Sequence, residues 1–244
     1  MSKILRRLLN RDIKIEPSLL DKYYGHLNSK KVSKAVNVFN EPIPWYTYPS
    51  IDYLVQFELS KKTVFEWGSG NSSLFFAERS KKVISIEHDK GWFEIVEVSK
   101  KTNQEIIYRS LNEYPKAIHD TDILYDIIVI DGQRRFDCTI ECVDKLQKNG
   151  MIILDNSDWF YKSASFLKNE MKLTQIDFHG FSPINNYILT TSIFLSREFD
   201  FPIKNNRQPN NPFGGLFHNE YEIMEKEDKI YNTKNIEMVH RLSL

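Results

Sequence analysis

Short apolar runs alternate with amphipathic stretches through the middle of this chain. Five runs predict buried strands, at residues 63–67, 82–87, 105–109, 125–131 and 151–154. Between them, apolar residues at helical spacing predict helices at residues 72–80, 90–100 and 138–146. Strands and helices that alternate in this way build a parallel sheet with helices on both faces. Such a sheet binds ligands at the carboxyl ends of its strands, near the point where strand order reverses.

The segments on either side of this alternation have a different pattern. Residues 1–59 predict a helical cap, in which the segment 41–49, with three prolines and three aromatic side chains, is held extended. That segment could form the aromatic wall of a ligand pocket or a hydrophobic plug over the edge of the sheet. Residues 60–197 are the predicted main domain. Residues 198–244 predict an irregular extension, serving as a lid or as a contact between subunits of a homo-oligomer.

Composition narrows the class of protein. The chain has 244 residues, 41% of them hydrophobic, which suits one α/β domain with attachments. Its 33 basic residues balance its 33 acidic ones, so no overall field favours nucleic acid as a partner. No apolar run approaches the ~18 residues of a membrane span. The two cysteines, Cys138 and Cys142, suggest reduced thiols. We therefore expect a cytoplasmic protein with no nucleic-acid partner and no integral membrane segment.

The first predicted strand leads into two glycines one residue apart. In Thr63-Val-Phe-Glu-Trp-Gly-Ser-Gly-Asn-Ser-Ser73, Gly68 and Gly70 would allow backbone conformations and a close approach that a Cβ atom forbids. The helix that follows would direct its unpaired N–H groups at a ligand in the turn. The pattern is typical of nucleotide sites, although an ordinary glycine-rich loop between a strand and a helix has the same sequence features.

Acidic residues stand at the carboxyl ends of the predicted strands. Glu66 precedes the glycines, Glu87 ends the second strand, and Asp131 ends the fourth. Asp155 and Asn156 follow the fifth. Four acids at one edge of a sheet exceed what solvation requires. Glu87 is placed to accept hydrogen bonds from both hydroxyls of a ribose, and the alternative for it is a solvated strand end.

These motifs, in this order, resemble those of the class I S-adenosylmethionine-dependent methyltransferases. The resemblance rests on the glycine turn, on Glu87, and on the segments 125–132 and 150–156, and it covers about residues 60–197. Two later segments, 174–178 and 191–195, resemble the antiparallel sixth and seventh strands of that family. The resemblance implies a doubly wound, mostly parallel, seven-stranded α/β sheet of Rossmann-like type. It also implies an enzyme that uses S-adenosylmethionine (SAM).

The resemblance assigns a set of cofactor contacts as well. The residues it implies are Glu66, Gly68, Gly70, Asn71, Glu87, His88 and Asp131. Within this set, the glycines would pass under the methionine part of SAM, Glu66 would orient its amino group, and Glu87 would hold its ribose. Ser73 stands where a dinucleotide fingerprint has its third glycine, which argues against a nicotinamide enzyme.

Asp131, Asp155 and Asn156 resemble the three oxygen ligands with which catechol-type and macrocin-type O-methyltransferases hold a magnesium ion. Magnesium prefers hard oxygen ligands and would lower the pKa of an acceptor hydroxyl bound to it. The resemblance therefore implies Mg-assisted O-methylation of a small molecule, with a sugar as one candidate. In the alternative, Asp155 and Asn156 only cap the fifth strand and shape its loop. The turn after Asp131 also lacks the Pro-Pro-aromatic sequence of enzymes that methylate amino groups of nucleic-acid bases.

The catalytic base is harder to place, because no lysine follows Asp131 where catechol-type enzymes keep theirs. We expect Asp131 and His179 to be catalytic, with His179 in a loop between the last two strands, where an ordinary histidine titrates in a useful range. Arg134 and Arg135 could bind a phosphate or carboxylate of the acceptor, or could be solvated turn residues. Two other functions stay open: metal-independent methylation at nitrogen or a carboxylate, and binding of SAM without turnover.

Overall fold

The computed structural model describes residues 19–213, and its centre is a seven-stranded sheet with the strand order β3-β2-β1-β4-β5-β7-β6. The strands are β1 (Thr63–Trp67), β2 (Lys82–Glu87), β3 (Gln104–Tyr108), β4 (Tyr125–Ile130), β5 (Leu146–Asp155), β6 (Thr174–Gly180) and β7 (Leu189–Leu195). The first five run parallel, whereas β7 runs antiparallel between β5 and β6. The predicted doubly wound, mostly parallel sheet is confirmed. Its strand order reverses between β1 and β4, where such sheets bind ligands.

Helices connect the strands of the sheet. Those described are α1 (His26–Val32), α2 (Tyr48–Val55), α3 (Asn71–Ala77), α4 (Lys90–Ser99), α5 (Arg135–Glu141) and α6 (Tyr161–Asn169), with short turns at Leu20–Tyr24, Pro115–Asp120 and Lys204–Asn206. Helix α4 begins where Asp89 Oδ1 accepts a hydrogen bond from Trp92 N at 2.8 Å, which satisfies a free N–H of the first turn. Among the described helices, none is long and apolar enough to cross a membrane.

The central strands are buried on both faces, because alternate side chains enter two apolar clusters. In β4, Ile127 and Val129 pack into one cluster, and Ile128 and Ile130 pack into the other. All four are fully buried. An unbroken run of branched apolar residues suits a central parallel strand with helices on both sides. Asp131, the next residue, is therefore the first position where the chain can place a polar side chain at the sheet edge.

The extended segment with three prolines lies beside the antiparallel side of the sheet. Thr47 N donates a hydrogen bond to Thr191 Oγ1 of β7 at 3.0 Å. Tyr46 and Tyr48 are buried in the core, whereas Trp45 lines the cavity described below. Both interpretations of this segment therefore hold, for different side chains. Tyr46 and Tyr48 form the plug, and Trp45 contributes to the wall.

Three predicted boundaries around the site are wrong. Helix α5 spans Arg135–Glu141 instead of residues 138–146. Strand β5 begins at Leu146 instead of residue 151, because Leu146 pairs with Tyr125 ahead of an irregularity in the register. The earlier start of α5 matters for the site, because it places Arg135 in the first turn of the helix after β4.

Part of the predicted C-terminal extension belongs to the main domain. The compact unit continues through Asn210. Within it, the rings of Phe199 and Phe201 lie 5.5 and 6.0 Å from the ring of Phe57. Residues 1–18 of the predicted cap and residues 214–244 of the predicted extension lie outside the described residues.

Candidate functional site

A cavity of about 760 Å³ opens at the carboxyl ends of β1, β2, β4 and β5. Its volume is in the usual range of small-molecule sites, about 300–1,000 Å³. One side, which we name the glycine half, is lined by residues 33–35, residues 68–72, Leu74, residues 87–89, Trp92, Ile95, Val96, Ser99 and Gln104. The other side, the acid half, is lined by Trp45, residues 131–133, Arg135, Asp155, Asn156, Trp159, Ile184, Asn185, Tyr187 and Leu189. The cavity therefore joins the predicted glycine turn to the predicted acids.

The two glycines of the turn have different roles. Gly68 has φ +99°, and a Cβ atom there would lie 3.2 Å from the carbonyl oxygen of Asp131. Gly70 is extended, with φ 163°, and a Cβ there would meet only the ring of Trp92, at 4.0 Å. The steric reason for glycine is confirmed at Gly68. At Gly70 the surrounding protein would tolerate a Cβ atom, and close approach to a ligand stays a prediction.

The carboxyl group of Glu66 is buried behind the glycine turn. It accepts hydrogen bonds from the hydroxyls of Ser72 and Ser73 and, at 3.1 Å, from the hydroxyl of Ser85. Ser73 Oγ in turn accepts from Gly70 N at 3.0 Å, so Glu66 fixes the shape of the turn. Glu66 does not line the cavity. A direct contact with a ligand amino group, as predicted, does not fit this geometry, because three hydroxyls enclose the carboxyl.

Substitution of Glu66 should change how stability depends on pH. Burial raises the pKa of Glu66 from 4.5 to about 7, although the hydrogen bonds from Ser72 and Ser73 oppose the rise. Between these values the folded chain holds a proton that the unfolded chain has lost, so the free energy of unfolding falls as pH rises, by up to about 3 kcal/mol. We expect Glu66→Gln to remove this fall and to be more stable than the wild type at pH 8. Urea unfolding at pH 5 and pH 8 measures it, and identical pH dependence in both proteins would contradict a buried, titrating acid.

Glu87 ends β2 and faces the cavity with 4% of its surface exposed. Its Oε2 accepts a hydrogen bond from Ser69 Oγ at 2.8 Å. Its Oε1 accepts from the backbone N–H groups of His88 and Asp89 at 2.8 and 2.9 Å. These bonds fix the carboxyl group at the cavity edge. The role of Glu87 in holding a ribose stays a prediction, and the position of the side chain agrees with it.

The other polar residues predicted for this half, Asn71 and His88, also line it. Asn71 Nδ2 donates to the Ala35 carbonyl at 2.6 Å, which ties the N-terminal segment to the glycine turn. Trp92 lies outside the predicted set, because its position in the sequence looks like an ordinary apolar position of α4. Its Nε1 donates to the Ser69 carbonyl at 2.8 Å, so the indole clamps the turn from the side of α4.

In the acid half, Arg135 lies between the carboxyl ends of β4 and β5. Its Nη2 donates to Asp131 Oδ1 at 3.1 Å. Its Nη1 donates to Asn156 Oδ1 at 3.1 Å and to the carbonyl oxygen of Asp155. Its Nε donates to the Gly132 carbonyl at 3.0 Å, and 11% of the side chain is exposed. The guanidinium therefore binds both strand ends at once.

The two acids on these strands form a coupled pair. Burial raises the pKa of Asp131 to about 6, and the charge of Arg135 opposes the rise. Burial and the charge of Asp131 also raise the pKa of Asp155, whose Oδ1 accepts from Thr191 Oγ1 at 2.6 Å. Because one arginine serves two acids, the pair retains a proton towards neutral pH. Both acids line the cavity, but Asp155 is buried whereas 22% of the Asp131 side chain is exposed.

This arrangement does not fit the predicted magnesium site. Asp131, Asp155 and Asn156 converge as predicted, but the guanidinium of Arg135 stands among them and bonds the side-chain oxygens of two of them. A magnesium ion here would add a second cation beside a largely buried one, which costs free energy.

Two further predicted residues lie away from the cavity. His179 belongs to β6 and not to a loop, and its Nδ1 lies 2.8 Å from Thr190 Oγ1 on β7. It does not line the cavity, so its predicted role as a base has no support in the geometry. Arg134 is also turned away, because its Nε donates to Asp137 Oδ2 at 2.8 Å and its Nη1 to the Leu111 carbonyl at 3.1 Å.

The arrangement of strands and helices is similar to that of solved methyltransferases. The precorrin-6y C5,15-methyltransferase of Geobacter metallireducens GS-15 superposes with a TM-score of 0.53 at 11% identity, over 68% of this chain and 96% of that one. The chain has the class I methyltransferase fold. An rRNA methylase of Streptococcus thermophilus gives a TM-score of 0.48 at 14% identity, over 61% and 95% of the two chains. A Streptococcus mutans protein in complex with S-adenosylhomocysteine (SAH) gives 0.45 at 14% identity, over 60% and 96%.

The first of these similarities shows the methyltransferase fold and leaves the reaction open, because the sequence identity is only 11%. None of the three proteins is described as a catechol-type or macrocin-type O-methyltransferase. No protein-family model matches the sequence. No curated protein is similar to it in sequence.

Three exposed aromatic side chains form a rim around the acid half of this methyltransferase fold, which we name the aromatic rim. Trp45, Trp159 and Tyr187 are 46%, 61% and 50% exposed, and all three line the cavity. The rings of Trp159 and Tyr187 lie 6.3 Å apart at an angle of 28°. Of these three side chains, the sequence predicts a place in a pocket wall only for Trp45, which belongs to the segment 41–49. Trp159 and Tyr187 are far apart in the chain and meet because β7 pairs with β5.

Proposed function

We propose that this chain is a SAM-dependent methyltransferase that acts on a hydroxyl group of a small neutral molecule and needs no metal ion. The observation that carries the proposal is the acid pair of Asp131 and Asp155, held by Arg135 in the same cavity as the glycine turn. The cavity lies where the strand order reverses and joins a nucleotide-type turn to an acid pair that titrates. It therefore has room for a cofactor and a base for the methyl acceptor. The methyltransferase fold supports the proposal.

The glycine half has groups that suit SAM. The glycine turn would lie under its methionine part, Glu87 would accept hydrogen bonds from its ribose hydroxyls, and His88 and Trp92 would flank the nucleoside. Glu66 would act indirectly, by fixing the turn. When bound, SAM supplies a methyl group on a positively charged sulfur.

Asp131 is the proposed general base. It reaches the cavity, and its pKa of about 6 means that it is ionised at neutral pH and can still accept a proton. It would take the proton of the acceptor hydroxyl as that oxygen bonds to the methyl carbon and the methyl–sulfur bond breaks, which leaves SAH. Asp131 would then release the proton to water. Arg135 holds the carboxylate in place and supplies the positive charge that the resemblance assigns to magnesium, so no step depends on a metal.

The contacts of Arg134 and Arg135 favour a neutral acceptor. Arg134 pairs with Asp137, and four of the five N–H donors of Arg135 are used at the two strand ends. Among the described residues that line the acid half, Arg135 is the only cationic side chain, and Lys34 lies in the glycine half. A phosphate or carboxylate on the acceptor would therefore be poorly matched in the acid half. This disfavours carboxyl methylation. Methylation at nitrogen and binding of SAM without turnover remain the rivals.

Substitution of Glu87 tests the cofactor part of the proposal. Glu87→Ala removes two charge-assisted hydrogen bonds and is expected to weaken SAH binding by about tenfold or more in calorimetry. Glu105→Ala is the matched control, because Glu105 is an acid on the adjacent strand β3 whose partner is Lys82, at 3.1 Å on the surface. Unchanged SAH affinity in Glu87→Ala would reject the ribose role. Tighter binding of a nicotinamide dinucleotide than of SAH would reject the family.

The rivals are separated by the products. Transfer of a labelled methyl group from SAM to a library of small alcohols and amines distinguishes an enzyme from a protein that only binds the cofactor. An ether product supports the proposal, whereas a methylated amine supports the rival. SAH binding without any transfer would favour the binding protein.

A further inference from the structure

We propose that the acceptor is a sugar, whose ring packs against the aromatic rim and whose hydroxyl group meets Asp131. This inference rests on the proposed function, because it names the acceptor class of the same site. A sugar ring has an apolar face of C–H groups and a polar edge of hydroxyl groups. It therefore suits a site with aromatic faces and hydrogen-bonding groups side by side.

Hydrogen bonds connect the aromatic rim to the acid half. Trp159 N donates to the Asn156 carbonyl at 2.8 Å, and Asn156, with φ 51°, binds Arg135 through its side chain. The tight turn after β5 thus links the indole to the guanidinium that holds Asp131. An aromatic side chain that is 61% exposed leaves apolar surface in water, yet this one is held in place beside a cavity. A cluster of exposed aromatic side chains at one cavity is typical of a ligand-binding surface.

Tyr187 is held by different contacts. It lies in the loop between β6 and β7, where Asn185 Nδ2 donates to the buried Ser182 Oγ at 2.9 Å. Lys30 of α1 bonds the Asn186 side chain and fixes the other side of this loop. Two rings that come from separate loops therefore stack at an angle of 28°, with their centroids 6.3 Å apart, and hold each other beside the cavity.

Side-chain amides stand beside the aromatic rim. Gln133, Asn156 and Asn185 all line the acid half. Asn156 receives Arg135 on its Oδ1, which leaves its NH₂ group for a ligand. Asn185 uses its NH₂ group on Ser182, which leaves its Oδ1 as an acceptor. Because amides offer both donors and acceptors without charge, they match neighbouring hydroxyl groups better than they match an ion or a hydrocarbon.

Other acceptor classes fit less well. A cationic acceptor would need surplus negative charge, but the charge of Asp131 is already offset by Arg135. An anionic acceptor would need a cation beside Asp131, but Arg134 is bound to Asp137 outside the cavity and Lys34 lines the glycine half. A flat aromatic alcohol could stack on the aromatic rim, but it would leave most of the amides without partners. A neutral sugar would contact both the aromatic rings and the side-chain amides.

Ligand-observed NMR tests this with SAH present at saturation. The probes are methyl glycosides of neutral hexoses, with catechol and ethanolamine as the aromatic and cationic comparators. We expect a glycoside to bind, and Trp159→Ala and Tyr187→Ala each to weaken it by about tenfold. Trp159→Phe should retain much of the affinity. Tyr161→Ala is the matched control, because Tyr161 is 76% exposed on α6 and does not line the cavity.

Calorimetry with SAH on the same variants separates this inference from the proposed function. SAH affinity should stay unchanged in all of them, since the aromatic rim lies in the acid half. Glycoside binding that survives both alanine substitutions would overturn the inference, as would binding of catechol or ethanolamine but of no glycoside. A chain that binds SAH and none of the probes would also overturn it while leaving the cofactor proposal standing. A chain that binds glycosides but not SAH would sink the proposed function alone.

Discussion

Asp131→Asn is expected to lower the rate of methyl transfer by about 10²–10⁴-fold while SAH affinity changes little. The asparagine has the same shape and can still accept the hydrogen bond from Arg135, but it cannot take the proton of the acceptor. The measurement is turnover at saturating acceptor, with SAH affinity determined by calorimetry. Asp137→Asn is the matched control, because Asp137 pairs with Arg134 on the surface and does not line the cavity.

The pH profile distinguishes a base from a side chain that only shapes the site. Wild-type turnover should rise with pH through the pKa of Asp131, about 6, because only the ionised carboxylate accepts a proton. The apparent value belongs to the pair of Asp131 and Asp155, since the two titrate together. This rise should be absent in Asp131→Asn. A variant that keeps the wild-type profile would contradict the assignment and leave positioning of the two substrates as the better explanation.

Much of the fold and half of the site can be predicted from the sequence, because both depend on short-range patterns. The run from Ile127 to Ile130 is apolar throughout, which favours a strand buried on both faces. Carboxyl ends of parallel strands share one edge of a sheet. The meeting of Glu87, Asp131 and Asp155 around one cavity therefore follows without knowledge of any side-chain angle.

The role of Arg135 could not be predicted in this way. Two arginines stand side by side in the sequence, and either could turn inward. Arg134, the residue before α5, has φ 50°. The helix therefore starts at Arg135, four residues after Asp131. A left-handed residue of this kind gives no clear sequence signal unless it is glycine or asparagine. From the sequence alone, Asp131, Asp155 and Asn156 therefore suggest a metal site. Only the position of the Arg135 guanidinium in the structure argues against it.

His179 shows a different limit. Its segment has glycine, proline and asparagine on the C-terminal side, which favours a loop. In the structure β6 continues to Gly180, and His179 pairs with Thr190. Strand ends depend on the partner strand, which a single segment does not reveal. The same holds for Trp159 and Tyr187, whose meeting depends on the position of β7.

Arg135→Ala should show whether this arginine replaces a metal. Removal of the guanidinium leaves Asp131 and Asp155 without their cation, and the free energy of unfolding at pH 8 is expected to fall by about 3 kcal/mol. The loss should shrink at pH 5, below the wild-type pKa of Asp131, about 6, because a protonated carboxyl needs no counter-charge. Arg134→Ala, the neighbouring control, should cost less than about 1 kcal/mol, since its pair with Asp137 is exposed.

The same variant gives the metal hypothesis its sharpest test. Without Arg135, the oxygens of Asp131, Asp155 and Asn156 are left as a cluster that a divalent cation can neutralise. Manganese should therefore raise the melting temperature of Arg135→Ala, with the size of the rise set by its concentration relative to its Kd. In the wild type, neither manganese nor a chelator should change melting temperature or methyl transfer. A wild-type enzyme that loses activity in chelator and regains it with magnesium would show that Arg135 moves aside for the ion, and would restore Mg-assisted transfer as the better account.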